Sequence, residues 1–200
     1  WDAYVWPQTD QKDFSLQSIV DGKHDKYIRR WAKEARRWGH PFFVRFNWEM
    51  NGDWFPWSES RNGNNSGDFV AAWRHATVGV VPSVVQEDVD NVTWVWCPNV
   101  INGTDDAQLE RYYPGNDYVD WLCMDGYNWG TNPAKPDKWK SFSNVFGETY
   151  ARLRKLAPDK PIMIDEVSAT EAGGSKADWI GKMLEDELPN DFPAVKALVW

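Results

Sequence analysis

Two glutamates in this 200-residue sequence stand where an apolar, strand-like run opens into a loop. Glu49 follows Phe42-Phe43-Val44-Arg45-Phe46-Asn47-Trp48 and precedes Met50-Asn51-Gly52, and Glu166 follows Pro161-Ile162-Met163-Ile164-Asp165 in the same way. Hydrolysis of a glycosidic bond asks for this residue type in this arrangement. One carboxylic acid protonates the leaving oxygen, and one carboxylate attacks or stabilises the anomeric carbon from the other side. Taken singly, each glutamate reads equally well as a solvated loop carboxylate or a salt-bridge partner; as a pair at strand ends they favour catalysis. Asp165, Glu171 and Glu59 are the rival carboxylates. Asp165 adjoins Glu166 and so is expected on the opposite face of the strand, while Glu59 and Glu171 lie deeper in loops, as structural or substrate-contacting groups.

Other chemistries fit less well. Only His24, His40 and His75 are present, in no metal-ligand spacing, so a metal-dependent deacetylase is excluded and helix caps or surface positions are expected for all three. No glycine-rich phosphate or dinucleotide loop occurs, and no cofactor is expected. The Asp53 to Asp68 segment is rich enough in oxygen ligands for calcium, but a structureless solvated loop is the expected state.

Composition narrows the partner. A formal charge of -8 disfavours nucleic acid and anionic membranes, whose phosphates need clustered Lys and Arg. No run of about 18 apolar residues is present, so no membrane span is expected, and no signal peptide is visible. Fifteen Trp are more than a core of this size needs. Many are therefore expected on a surface that binds flat apolar faces, such as the C–H sides of pyranose rings, and the rest in the core. The sequons at Asn64, Asn91 and Asn102 are compatible with secretion without deciding it. Cys97 and Cys123 lie in apolar runs and are expected as free buried thiols rather than a bridge.

The elements that must position these residues alternate. Strands are expected at 2–6, 41–47, 92–99, 118–128, 161–166 and 196–200, as short apolar runs rich in aromatic and β-branched residues. Helices are expected at 24–38, with Tyr27, Ile28, Trp31, Ala35 and Trp38 on one face; from Asp68 as cap, carrying Phe69, Val70, Trp73 and Val80; at about 142–156; and from Ser175 as cap, with Trp179, Ile180, Met183, Leu184 and Leu188 inward. One domain over residues 1–200 follows. Strand–helix alternation predicts a parallel α/β sheet with right-handed crossovers. Long Trp-, Asn- and Gly-rich loops after the strand C-termini select a (β/α)8 TIM barrel over a doubly wound fold. Six strands leave such a barrel two short.

Five segments in order along nearly the whole chain, RFNWEMNGDWFPW (Arg45 to Trp57), WVWCPN (Trp94 to Asn99), YYPGNDYVDW (Tyr112 to Trp121), DGYNW (Asp125 to Trp129) and PIMIDE (Pro161 to Glu166), together resemble glycoside hydrolase family 26. The resemblance implies a retaining (β/α)8 enzyme whose acid/base ends strand four and whose nucleophile ends strand seven. The chain then covers strands three to eight, with two βα units and the final helix outside it. Glu49 is implied as acid/base and Glu166 as nucleophile. Tyr127 is implied to hydrogen-bond the nucleophile and help keep it ionised. Trp200 is implied as the floor of the sugar site, Trp54 and Trp57 as cleft lining after strand four, and Trp129 as the same after strand six. Asn99 is a strand-end hydrogen-bonder and Arg45 a partner to the carboxylates.

One position departs from the family pattern. Members that cleave mannan usually carry His immediately before the acid/base, where this chain has Trp48, and the Trp54 to Trp57 motif is closer to the glucan-cleaving side. Stacking by Trp48 in place of a hydrogen bond would shift selectivity. The expectation is a secreted, monomeric endo-β-glycanase for β-1,4 or mixed-linkage glucan or mannan. The alternative is a non-catalytic polysaccharide-binding relative, against which the retention of both glutamates argues.

Overall fold

The computed structural model describes residues 11–80, 89–101, 108–135 and 137–200. Its contacts form two compact units, Trp1–Trp96 with Gln108–Asp120, and Cys97–Ala107 with Trp121–Trp200. The strand expected at 2–6 and the sequon at Asn102 lie outside the described residues.

In the first unit, α1 (Leu16–Val20) and α2 (Asp25–Trp38) precede the short strand β1 (Phe42–Val44). Gly39 ends α2 at φ +74°, its N–H donating to Ala35 O at 3.2 Å. The buried face of α2 is Ile28, Ala32 and Ala35, at i, i+4 and i+7. This face is narrower than the sequence pattern predicts: Tyr27 is 36% exposed and Trp38 58%, and Trp38 covers Phe42 edge-on. Strand β1 pairs in parallel with β2 (Val92–Trp96), Phe42 opposite Val92 and Val44 opposite Trp94.

Helix α3 (Asp68–Arg74) continues as a π-helical turn, His75–Val80. Asp68 does not cap it. Gly67 holds the cap position at φ +94°, and the side chain of Asp68 instead accepts from Asn65 N. The capping carboxylate comes from the preceding loop, where Glu59 Oε1 accepts from Gly67 N (2.8 Å) and Phe69 N (3.3 Å). Its second oxygen faces Arg111 at 3.4 Å. Phe69, Ala72 and Trp73 are buried. Trp73 is fully enclosed and donates its indole N–H to Tyr118 O at 3.0 Å. Trp73→Ala is expected to cost about 3–5 kcal/mol in urea unfolding, for a cavity and an orphaned carbonyl together.

The second unit runs β3 (Trp121–Asn128), α4 (Phe142–Leu156), β4 (Ile162–Ala169), α5 (Lys176–Lys182), α6 (Leu188–Asp191) and β5 (Val195–Leu198). Its strands pair in parallel, β3 with β4 and β4 with β5. This is the strand–helix–strand order read from the sequence. Ser141 caps α4, and its Phe142, Val145, Phe146 and Leu153 are buried. Ser175 caps α5 as expected, with Trp179 and Met183 inward, but Leu184 is 53% exposed, because the chain passes through a π-helical turn there and the inward face shifts. No described helix is long and apolar enough to cross a membrane.

Cys97 and Cys123 form a disulfide, against the expectation of free thiols. After β2 the chain runs alongside β3: Asp125 N donates to Pro98 O, and Asn99 bridges Asp125. That register brings the two Cα atoms to 4.3 Å, a relation that apolar character does not encode.

Candidate active site

In the first unit, the chain leaves β1 through Asn47 (φ +48°) and Glu49 (φ +53°), left-handed conformations that cost non-glycine residues about 1–3 kcal/mol, least for asparagine. A turn follows, closed by Gly52 N donating to Glu49 O at 3.0 Å. Glu49 is 7% exposed. Trp54 folds back over the turn and donates its indole N–H to Glu49 Oε2 at 2.7 Å.

An aromatic cluster supports the loop. Trp57 donates its indole N–H to Trp48 O at 2.6 Å, stacks on Phe55 with centroids 4.5 Å apart and lies against Trp48 at 4.8 Å. At 3% exposure Trp57 braces the loop. Trp48 is half-buried beneath the Arg45 guanidinium, 5.0 Å from its ring. A cavity of about 500 Å³ lies against β1, lined by Arg45, Asn47, Trp48, Trp57 and Trp94 among others.

The segment from Asp53 to Asp68 is ordered, not a structureless solvated loop. Buried Asn64 accepts from Leu16 N and donates to Pro56 O and Ser58 O, and Arg61 donates to the Asp53 carboxylate. Asn64 and Asn91 are therefore packing residues despite their sequons, since Asn91 Nδ2 donates to Ala35 O and His40 O. Among the histidines, His75 pairs with Asp25 at 2.8 Å, and His24 precedes α2 and meets Ser18 Oγ at 2.9 Å without capping the helix by its side chain.

In the second unit, the pairing of β3 with β4 slips by one residue after Met124 and Ile164, so Asp125 stands opposite Glu166 and Asp165 is the extra residue of a bulge. The bulge interrupts the alternation that predicts Asp165 on the opposite face. Two residues beyond Asp125 on the same face of β3, Tyr127 donates its hydroxyl to Glu166 Oε2. Asp125 is fully buried, and its backbone ladder runs to Pro98 and Val100 around half-buried Asn99.

Trp129 is half-buried, 5.4 Å from the Tyr127 ring, with Lys135 Nζ 4.7 Å over it. Its loop closes tightly: Gly130, at φ +52°, leaves room for Ala172 O, which a Cβ there would meet at 2.1 Å. Lys140 clamps the far side through Asp137 at 2.7 Å and holds that carboxyl below the usual range. Trp200 is 55% exposed, with Lys176 Nζ 5.4 Å over its ring. Glu171 accepts from Lys176 N at 3.1 Å, bracing the start of α5. The first unit thus brings together Glu49, Trp48, Trp54 and Trp57, and the second Glu166, Tyr127 and Trp129. The indole bond to Glu49 was missed by sequence reasoning, and its one trace there is the glycine at position 52.

Parallel strands joined by helices, with polar and aromatic groups gathered where strands give way to loops, are the pattern of part of a (β/α)8 TIM barrel. The catalytic domain of a Bacillus sp. JAMB-750 endo-β-1,4-mannanase superposes with a TM-score of 0.69 at 22% identity, over 96% of this chain and 51% of that one. A Cellulomonas fimi endo-β-1,4-mannanase double mutant superposes at 0.71 and 20% identity, over 96% and 44%. Residues 8–192 match the glycosyl hydrolase family 26 model, and the chain belongs to that family. It is 36% identical to endoglucanase H of Acetivibrio thermocellus over 94% of its own length, and 28% identical to mannan endo-1,4-β-mannosidase A and B of Caldalkalibacillus mannanilyticus over 66%. It spans about a fifth of those two proteins (20% and 22%) and about half of the solved chains.

Proposed function

We propose that this chain is the catalytic part of a retaining endo-β-glycanase that acts as a monomer outside the cell on β-linked glucan. In this reading Glu166 attacks the anomeric carbon while Glu49 gives its proton to the departing oxygen, so the glycosidic bond breaks as a glycosyl ester forms. Glu49 then takes a proton from water, which displaces Glu166 and releases the sugar with its configuration retained. The observation that carries the reading is the Tyr127 hydroxyl on Glu166 Oε2. A neutral hydroxyl donor orients this carboxylate without cancelling its charge, which suits a nucleophile. Buried Glu49, held in a strained backbone conformation, suits the acid/base.

Two features favour glucan over mannan: the identity to a protein named endoglucanase H, and Trp48 in place of the His usual in mannan-cleaving members. Incubation with lichenan, glucomannan and galactomannan tests both parts of the proposal. Lichenan should release reducing ends fastest, and proton NMR should show the β-anomer formed first. Initial α-anomer would mean inversion and carboxyl groups well beyond the separation of about 5–5.5 Å that retention needs. Binding without release from any polymer would leave a polysaccharide-binding relative.

A further inference from the structure

Trp54 lines a cleft in the sequence reading, but its geometry gives it another task. Its indole N–H lies 2.7 Å from Glu49 Oε2, within the turn that carries Glu49. A Cβ on Gly52 would stand 2.4 Å from Cζ2 and Cη2 of that indole and 2.6 Å from Cε2, so the ring rests directly on the Gly52 backbone. Gly52 is not among the glycines with a left-handed backbone. Its missing side chain is needed for the indole rather than for the turn.

We propose that Gly52 and Trp54 are positioning residues for Glu49, setting which carboxyl oxygen carries the acid proton. An indole N–H only donates, and the carbonyl oxygen of a carboxylic acid accepts better than its hydroxyl oxygen, so the bond to Oε2 favours the acid proton on Oε1. The bond adds to burial in fixing where the acid sits in Glu49, whose backbone stands at φ +53° at the start of a loop. The ring side seated on Gly52 is closed to a sugar, which leaves one side at most for stacking.

The inference rests on Glu49 being the acid/base, and the test separates the two claims. Trp54→Phe keeps a ring but deletes the donor. In the complete protein, kcat/KM is measured on soluble mixed-linkage glucan, whose leaving group needs protonation, and on dinitrophenyl β-cellobioside, whose leaving group does not. Trp54→Phe should lower the first by about 10- to 100-fold, through kcat with KM held, and the second by less than about threefold. Gly52→Ala should reproduce this pattern by dislodging the indole, and the double variant should be no worse than Trp54→Phe alone.

Parallel loss on both substrates with raised KM would make Trp54 a sugar platform and overturn the proposal, as would glucan turnover within threefold of the parent. Glu49→Ala is the reference. If it discriminates between the two substrates and Trp54→Phe does not, positioning fails while the acid/base reading stands. If Glu49→Ala does not discriminate either, that reading falls and the proposal with it.

Discussion

Glu166→Gln is expected to lower kcat on soluble β-glucan by about 10⁴-fold or more while leaving oligosaccharide binding within about threefold of the parent. The amide is nearly isosteric with the carboxylate. Its carbonyl oxygen can still accept the Tyr127 hydroxyl that now reaches Glu166 Oε2, so the local hydrogen bond survives. What disappears is the negative charge and the electron pair that forms the glycosyl ester. Turnover on the polymer and calorimetric titration with cello-oligosaccharides measure the two halves of the prediction. Turnover within tenfold of the parent would remove Glu166 from the mechanism.

The second large effect is expected at the other carboxylate, and its form differs. Glu49→Ala removes proton donation to the leaving oxygen and proton abstraction from water, but leaves the nucleophile in place. Glucan hydrolysis should fall by about 10²–10⁴-fold, the range of a single general acid/base. On dinitrophenyl β-cellobioside the first step should remain fast and the glycosyl enzyme should accumulate, because its hydrolysis lacks a base. Azide needs no deprotonation and should restore turnover there, yielding β-cellobiosyl azide. Lack of rescue, or an α-configured azide, would contradict the assigned roles. The variant also leaves the Trp54 indole N–H without its acceptor, a small stability cost that urea unfolding would register separately.

Much of this was legible in the chain itself, for reasons that are local. A period of two or 3.6 in apolar residues follows from strand and helix geometry, and so the sequence located α4 at 142–156, the Ser175 cap and the starts of β1, β2 and β4 to within a residue. Strand–helix alternation implied parallel pairing, because a parallel connection must cross over. The candidate carboxylates were visible because a charged residue directly after an apolar strand is conspicuous.

Tertiary structure decided what depends on register and on distant partners. Composition divided the tryptophans between core and cleft but could not show that Trp57 stacks on Phe55 and bonds to Trp48 O while it lines the cavity beside β1. Alternation put Asp165 opposite Glu166, but a one-residue slip against β3 breaks the alternation at that point, and only the pairing of two strands makes the slip visible. Asp68 had the right residue type and position for a cap, yet Glu59 accepts the N–H groups, because the folded loop brings it nearer. The Cys97–Cys123 bridge likewise depends on how the chain after β2 lies along β3. The sequence by itself determined which side chains were able to do chemistry and which elements carry them. The family resemblance implied the Tyr127 hydroxyl on Glu166, and the fold alone decided that Trp54 reaches Glu49, because a hydrogen bond is fixed by a few tenths of an ångström, which residue spacing does not specify.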